Sequence, residues 1–233
     1  MKTLSEITES IEKIFKTKWD TRDGLKVPEV TDVQLGNYSV ELEGTVLYAD
    51  LSDSTGLVSG YKSWFAAEVY KSYLVACCEL IKNNEGTITA FDGDRVMAVY
   101  IGDSKNSNAA RTALQINYLV NKVINPQIKK QYPDTPFVLK QSVGVDTSKL
   151  SVARTGVPWY NDLVWVGKSA NYAAKMCGIR AGRYASFISA SVFSKLNEIT
   201  KYGGEPKALM WEKVNWEEMG FPIYQSAWEW RPD

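Results

Sequence analysis

The stretch GTVLYADLSDSTG, residues 44–56, decides the fold. Residues 45–49 are β-branched or apolar, follow a glycine and lead into an acidic, polar loop, a pattern typical of a buried strand. Asp50 stands at the end of that strand, and residues 51–56 precede a long helical pattern. A polar loop at the start of a helix offers free backbone N–H groups that can bind a polyphosphate. Many strand–helix loops share this composition, so the loop alone is a weak signal.

The segments that follow alternate between helical and strand patterns. Residues 61–83 repeat apolar positions with a helical period, and residues 86–102 contain two β-rich runs joined by an Asp-Gly pair, a strong hairpin signal. A second helical pattern covers about 106–124, and another strand pattern covers 137–146. The order β-α-β-β-α-β over residues 44–146 is that of the ferredoxin-like split βαβ. We therefore predict an α+β fold with helices on one face of the sheet.

The rest of the chain adds flanking elements to this core. Residues 4–17 place apolar side chains on one stripe, which predicts an amphipathic N-terminal helix that packs against another element. Asp146 and residues 156–158 have the composition of turns, so the runs beside them are predicted as separate strands. Extra strands are predicted at 150–154, 162–167, 185–190 and near 222–230, and extra helices at about 168–179 and 191–199.

Composition excludes several classes of function. Lys plus Arg and Asp plus Glu are 27 each in 233 residues, so the formal net charge of 0 argues against a nucleic-acid-binding protein. Histidine is absent, which excludes Ser-His-Asp and Cys-His catalysis and zinc sites that need histidine. Three cysteines are expected to be buried thiols in a reducing compartment. No signal peptide or membrane span is visible, so we expect a cytoplasmic protein without a membrane partner.

Two carboxylates form the candidate chemical centre. Asp50 ends the first strand, and Asp94 lies in the hairpin turn 44 residues later. In a split βαβ sheet the first strand lies beside a hairpin strand, so the two carboxylates can converge. Paired carboxylates without histidine favour Mg²⁺ or Mn²⁺, and two such ions can clamp the oxygens of a phosphoryl displacement. The alternative is that both residues only form turns.

Three motifs resemble those of the class III nucleotidyl cyclases. VLYADLSDST at 46–55 is similar to the family's first metal-binding strand, AFDGDRVMAVY at 90–100 to the hairpin with the second metal aspartate, and VWVGKSANYAAKM at 164–176 to the segment with the ribose-positioning Asn. They occur in the family's order across about residues 44–230. The resemblance implies an N-terminal helical extension, 1–40, before a catalytic domain, 41–233.

The resemblance also implies a set of site residues. Asp50, Leu51 and Asp94 would hold the metal ions, and Leu51, Ser54 and Thr55 would bind the nucleotide. Asn171 and Lys175 would be the catalytic residues, contributed by the second subunit of a homodimer with composite sites. Lys175 stands where the family usually has Arg, so another basic residue could take over its charge: Arg154, Lys168, Arg180 and Arg183 are the candidates, with a solvated surface role as the alternative for each.

The base-reading positions depart from the purine cyclases. These enzymes select the base with a polar pair, and the matching positions here are Ala90 and Val164, neither of which can donate or accept a hydrogen bond. This departure is similar to the bacterial pyrimidine cyclases of the Pycsar anti-phage system. The resemblance implies that CTP or UTP is converted to cyclic CMP or cyclic UMP, which a separate effector reads.

Other functions stay open from the sequence alone. A purine cyclase with an unusual base pocket is one alternative, and a catalytically inactive nucleotide-binding regulator is another. A diguanylate cyclase shares the sheet architecture, but its GG[DE]EF signature is missing. The sequence does not separate CTP from UTP.

Overall fold

The computed structural model describes residues 2–233 and divides into two compact units. One contains the chain up to Glu43 together with Lys149–Gly167, and the other contains Gly44–Ser148 and Lys168–Asp233. We refer to them as the small unit and the large unit.

The helices and strands are numbered in chain order. The helices are α1 (Leu4–Lys16), α2 (Ser54–Gly60), α3 (Ser63–Asn83), α4 (Lys105–Leu119), α5 (Asn125–Gln131), α6 (Lys168–Met176), α7 (Ala190–Ser194) and α8 (Glu198–Lys201). The strands are β1 (Asp20–Asp23), β2 (Tyr38–Leu51), β3 (Thr87–Asp92), β4 (Arg95–Tyr100), β5 (Gln141–Val157), β6 (Tyr160–Val166), β7 (Ser186–Ser189), β8 (Tyr202–Gly203), β9 (Ala208–Leu209), β10 (Glu212–Trp216) and β11 (Phe221–Ser226).

The sheet of the large unit confirms the predicted ferredoxin-like core. Its central order is β5-β2-β4-β3, and β7, β11 and β10 extend it beyond β5. Strand β2 pairs antiparallel with β4, with Asp50 opposite Arg95. Strand β5 pairs parallel with β7. Because β2 lies at the centre, its C-terminal end carries Asp50 to an edge where other strand ends and loops meet.

Helices α3 and α4 cover one face of this sheet. Apolar side chains of β2, β5 and both helices form one buried cluster, which includes Leu47, Val69, Tyr73, Leu114 and Val143. Side chains of successive strand residues point to opposite faces, so a group that packs on Gly144 lies on the other face from Val143.

Helix α6 packs on that second face, a placement the sequence did not predict. A Cβ atom on Gly144 would lie 2.2 Å from the carbonyl oxygen of Ala173 and 2.6 Å from the amide nitrogen of Cys177. Only a glycine at this position lets the helix approach the strand so closely. Strand β5 thereby fixes the position of α6.

Strand β5 corrects the predicted division of residues 137–157. The segments predicted as two strands form one strand of 17 residues, and its first residue is Gln141 rather than residue 137. Asp146 is buried within it, 1% exposed, and is not a turn residue. Burial raises the pKa of its carboxyl group, hydrogen bonds from Ser189 and from the backbone of Thr147 lower it in part, and its Oδ2 atom has no hydrogen-bond partner within residues 2–233. The actual turn follows Val157, where Trp159 adopts a positive φ of 74°.

The N-terminal helix begins and ends as predicted, but its apolar stripe is not buried. A capping box between Thr3 and Glu6 starts the helix. Leu4 is 80% exposed and Phe15 86% exposed, and no described residue of α1 is buried. The expectation that this stripe packs against another element is therefore wrong for the described chain. In the small unit the helix is held by Asn37, whose side-chain amide donates to the carbonyl oxygens of Ile14 and Thr17 at 2.7 Å each.

Several other boundaries differ from the predictions. The helix predicted to 124 ends at Leu119 and continues as a π-helical turn over Val120–Ile124, ahead of Pro126, which has no backbone N–H to donate. The predicted helix 191–199 is two short helices, and β1 and β10 were not predicted. Within residues 2–233 no helix is both long enough and apolar enough to span a membrane.

Candidate active site

The carboxylates of Asp50 and Asp94 meet at one edge of the large unit. Asp50 lies opposite Arg95 in the β2–β4 ladder, and Asp94 is the residue just before Arg95 in the hairpin turn. Burial raises the pKa of Asp50, the hydrogen bond from Arg180 lowers it, and the negative charge of Asp94 raises it. The two groups therefore interact through space, although 43 residues separate them in sequence.

These carboxylates fit a hard divalent cation. The Oδ2 atom of Asp94 is buried and has no hydrogen-bond partner among residues 2–233. The guanidinium of Arg180 binds the Oδ2 atom of Asp50 at 3.0 Å, so this position already accepts a positive charge. Carboxylate oxygens are the ligands that Mg²⁺ and Mn²⁺ prefer.

The carboxylates alone do not complete a coordination sphere. Within the described chain no cluster of three or more His, Cys, Asp or Glu side chains could hold a metal. Further oxygens must therefore come from the backbone, for which Leu51 beside Asp50 is the predicted residue, from water or from a bound phosphate. An Mg²⁺ ion commonly binds one or two carboxylates together with phosphate oxygens in this way.

The loop after Asp50 leads directly into a helix. Helix α2 begins at Ser54, earlier than the helix start predicted near residue 61. Asp53 caps it: its side chain accepts from the amide of Gly56 at 3.2 Å, and its backbone is left-handed with φ 59°. Ser54 hydrogen-bonds the hydroxyl of Tyr70 on α3. Thr55 is exposed at the first turn of the helix.

A cavity of about 490 Å³ is linked to the carboxylates by Arg180, which lines the cavity and binds Asp50. Its wall contains Ser52 next to the Asp50 strand, and the amide of Ser52 donates to the carbonyl oxygen of Lys140 at 2.8 Å. The cationic residues in the lining are Lys140, Arg180 and Arg183, and no carboxylate residue lines it. The side chain of Gln141, a residue that is 6% exposed, has no hydrogen-bond partner within residues 2–233 for either its Nε2 donor or its Oε1 acceptor. The cavity is therefore suited to an anion.

Tyr48 and Arg95 form a second feature beside Asp50. The guanidinium of Arg95 lies over the ring of Tyr48, 5.3 Å from its centroid, and donates to Asp92 at 2.6 Å. Burial raises the pKa of Tyr48, so its hydroxyl stays protonated. Cys177 is buried nearby, and its burial raises the pKa of the thiol to about 12. Cys177 is therefore a thiol at neutral pH and not a nucleophile.

Asn171 and Lys175 lie one turn apart on α6, and both side chains are exposed. Lys175 forms an ion pair with Glu218, with a nitrogen–oxygen distance of 3.0 Å. Within the described chain neither residue has a hydrogen bond or ion pair with Asp50 or Asp94. The structure thus presents these two groups outward.

Comparison with known proteins identifies the family. No protein-family model matches the chain. A uridylate cyclase of Xanthomonas perforans is 44% identical over 230 residues, which is 98% of both chains. A uridylate cyclase of Burkholderia cepacia is 42% identical over 232 residues, 99% of both chains. This chain belongs to the uridylate cyclase family.

Solved structures show the same class III cyclase fold. An adenylyl cyclase from P. aeruginosa superimposes with a TM-score of 0.68 at 18% identity, over 81% of this chain and 95% of that one. The guanylyl cyclase Cya2 gives a TM-score of 0.66 at 19% identity, over 82% and 95%. The predicted resemblance is confirmed, and the protein is a class III nucleotidyl cyclase, which is a phosphorus–oxygen lyase.

The cyclase has apolar residues at both positions that match the polar base-reading pair of purine cyclases. Ala90 is half-buried in β3, opposite Met97. Val164 belongs to the small unit, where it lies in β6 opposite Ala153 and is 40% exposed. Neither side chain has a group that can donate or accept a hydrogen bond.

Sequence reasoning missed part of the cyclase site. Arg180 was named only among several basic candidates, and its contact with Asp50 joins residues 130 positions apart. The pair of Tyr48 and Arg95 was not recognised, although two signals pointed to it: Tyr48 shares a strand face with Asp50, and Arg95 follows Asp94 directly.

Proposed function

We propose that this cyclase converts UTP to 3′,5′-cyclic UMP and pyrophosphate. The observation that carries the proposal is the pair of carboxylates Asp50 and Asp94. The Oδ2 atom of Asp94 has no hydrogen-bond partner within residues 2–233, and Arg180, which binds Asp50, lines the cationic cavity. The pair fits a cation that binds phosphates, and the cavity fits a polyphosphate chain. The relatives' shared designation as uridylate cyclases supports UTP as the substrate.

Arg95 supports uracil over cytosine. Its guanidinium only donates hydrogen bonds, and it lies on a tyrosine ring near Asp50. The O4 atom of uracil accepts hydrogen bonds, whereas the 4-amino group of cytosine donates them. We propose that the base binds beside Tyr48, where the Arg95 guanidinium would donate to the uracil O4 atom and oppose the cytosine amino group. Ala90 and Val164 add no competing polar preference.

The reaction is an internal displacement at phosphorus. The ribose 3′-oxygen forms a bond to the α-phosphorus, the bond from that phosphorus to the bridging oxygen breaks, and pyrophosphate leaves with the electron pair while the 3′-hydroxyl proton goes to solvent. A bound divalent cation would lower the pKa of the 3′-hydroxyl and neutralise phosphate charge. Asp50, Asp94 and the Leu51 carbonyl would hold two such ions, Mg²⁺ or Mn²⁺, at each site. Ser54, Thr55 and the cationic wall of the cavity orient the triphosphate.

The complete site needs two copies of the chain. Asn171 and Lys175 are exposed on α6 and contact neither metal-binding carboxylate in the described chain. A second subunit can present them: Asn171 to orient the ribose, and Lys175 to stabilise the negative charge that develops on phosphorus. We therefore propose a homodimer with two composite sites, with residues 41–233 of each copy as the catalytic domain.

The cellular role we propose is signalling in anti-phage defence. The motif resemblance to pyrimidine cyclases of the Pycsar system supports it, with a cytoplasmic enzyme whose cyclic nucleotide is read by a separate effector.

The function is tested with purified protein, Mn²⁺ and UTP. We expect cyclic UMP, identified by mass, and stoichiometric pyrophosphate from the native protein, and no product from Asp50→Ala. Full activity of Asp50→Ala would remove the metal-binding role of this residue. Binding of UTP without pyrophosphate release from the native protein would favour the alternative, an inactive nucleotide-binding regulator.

A further inference from the structure

Arg180 touches both parts of the candidate site. Its Nη2 atom binds Asp50 at 3.0 Å, and its Nη1 atom donates to the carbonyl oxygens of Cys177 at 2.7 Å and Ile179 at 3.2 Å. The same residue lines the cationic cavity together with Arg183 and Lys140. No other residue in the cavity lining has a hydrogen bond or ion pair to Asp50 within the described chain.

This position makes the arginine a competitor of a metal ion. A cation that binds Asp50 must share or displace the guanidinium, because both are attracted to the same carboxylate. The side chain of Arg180 is 42% exposed, so it is not locked by packing. Its contacts with Cys177 and Ile179 hold one nitrogen near the cavity while the other is on the carboxylate.

We propose that Arg180 is a binding residue that exchanges partners: it neutralises Asp50 in the free enzyme and binds the pyrophosphate moiety of the substrate once a divalent cation occupies Asp50. The proposal rests on the proposed function of the site. Before a cation binds, Arg180 neutralises the charge of the Asp50 carboxylate. When the triphosphate is present, the same guanidinium adds a positive charge to the cavity. Arginine suits both partners, since its fork of donors matches carboxylate and phosphate oxygens.

The exchange predicts opposite effects of one substitution. In Arg180→Ala the cation meets no competing charge, so Mn²⁺ alone binds about tenfold more tightly. Pyrophosphate, titrated at saturating Mn²⁺, loses a charge-assisted contact and binds about tenfold more weakly. A residue that only stabilises the loop would weaken both ligands when removed.

The test measures the two affinities separately. Free Mn²⁺ is followed by electron paramagnetic resonance, and pyrophosphate binding by calorimetry. Lys140→Ala is the matched control, because it removes a cavity cation that has no contact with Asp50: pyrophosphate binding should weaken while Mn²⁺ affinity stays within about twofold. Arg180→Lys keeps the charge and should keep Mn²⁺ affinity near the native value. If Arg180→Ala does not fold, Arg180→Gln replaces it, since its amide can still donate to Cys177.

The outcomes separate this proposal from the function it rests on. Neither binding assay needs turnover. Weaker or unchanged Mn²⁺ binding in Arg180→Ala, or in Arg180→Gln where that variant replaces it, overturns the exchange even if the native protein makes cyclic UMP, and so does unchanged pyrophosphate binding in the same variant. Failure of the native protein to make any cyclic nucleotide overturns the function, whatever the two affinities show.

Discussion

At the scale of single residues, Asp50 combines a cost in stability with a role in binding. Its carboxyl group is partly buried and lies near Asp94, and the positive charges of Arg180 and Arg95 offset these effects only in part. The net result is a raised pKa, so the folded protein binds the Asp50 proton more tightly than the unfolded chain does. A residue that lowers the stability of the ligand-free protein and lies where a cation could bind is typical of a functional position.

The first prediction concerns the pH dependence that follows from this pKa. Because the folded-state pKa is raised, the stabilisation from protonated Asp50 is present below the unfolded value near 3.8 and is lost as the pH rises through the folded value. Asp50→Asn cannot ionise. Without metal, we expect the melting temperature of Asp50→Asn minus that of the native protein to increase from pH 4 to pH 7. The cyclase activity of the variant should be lower than that of the native protein by at least about a hundredfold.

Differential scanning fluorimetry across this pH range measures the effect. Asp162→Asn, at a carboxylate of the small unit that accepts a hydrogen bond from the backbone amide of Leu163, is the control and should show no such trend. A constant difference between Asp50→Asn and the native protein across the range would contradict the assignment.

The second prediction concerns base choice at Arg95. Arg95→Leu removes the donor beside Tyr48, so the preference for UTP over CTP should fall by about tenfold or more, because one polar contact to the base edge is lost. The ratio of kcat/KM values for the two nucleotides measures it. Asp92→Asn removes the ion-pair partner of Arg95 but not the guanidinium, and should keep most of the preference. An unchanged ratio in Arg95→Leu would show that the base is read elsewhere.

At the scale of elements, the sequence predicted the core and missed what depends on long-range contacts. The strand and hairpin around Asp50 and Asp94 could be predicted because periodicity and an Asp-Gly turn are local signals. The division of β5 at Asp146 was wrong because a buried carboxyl group takes hydrogen bonds from Ser189, a residue of another strand. The apolar stripe of α1 predicts a helix correctly, but periodicity does not predict which surface, if any, packs against that stripe. Arg180 lies in an irregular loop, where no periodicity predicts its contact.

The third prediction concerns the packing of α6 on β5. Gly144→Ala would place a Cβ atom 2.2 Å from the Ala173 carbonyl, so the helix must move. We expect a loss of about 1–3 kcal/mol in the free energy of unfolding, as for other overpacked sites. Activity should fall as well, since α6 carries Asn171 and Lys175.

Urea denaturation and the cyclase assay measure the two effects. Gly60→Ala is the control, because no atom lies within 4 Å of its added Cβ and α2 is helical there, so its stability should be unchanged or slightly raised. A Gly144→Ala protein as stable and active as the native one would show that α6 tolerates displacement.

At the scale of the whole molecule, the proposed site residues form two separate sets. The carboxylates belong to a strand end and a hairpin turn, whereas Asn171 and Lys175 are exposed on a helix without contact to them. The proposed homodimer accounts for this arrangement, because one chain carries all the family motifs and a second chain would complete its reaction centre. In an isologous dimer the same surface is used twice, so each copy can complete the site of the other.

The fourth prediction is complementation between inactive variants. Asp50→Ala and Asn171→Ala are each expected to be inactive alone. Mixed at equal amounts and allowed to exchange subunits, they should regain about a quarter of native activity, because half of the dimers are mixed and one of their two sites carries neither substitution. Native mass spectrometry, with one of the two variants isotope-labelled, confirms exchange. A mixture that exchanges subunits and stays inactive would mean that each site is built within one chain.

The measurement that tests the central claim most directly is a competition among all four ribonucleoside triphosphates at equal concentration with Mn²⁺, with the products resolved by mass. The account predicts 3′,5′-cyclic UMP as the main product, a smaller amount of cyclic CMP, and neither in Asp94→Ala. Cyclic AMP or cyclic GMP as the main product, or no cyclic nucleotide at all from the native protein, would contradict it.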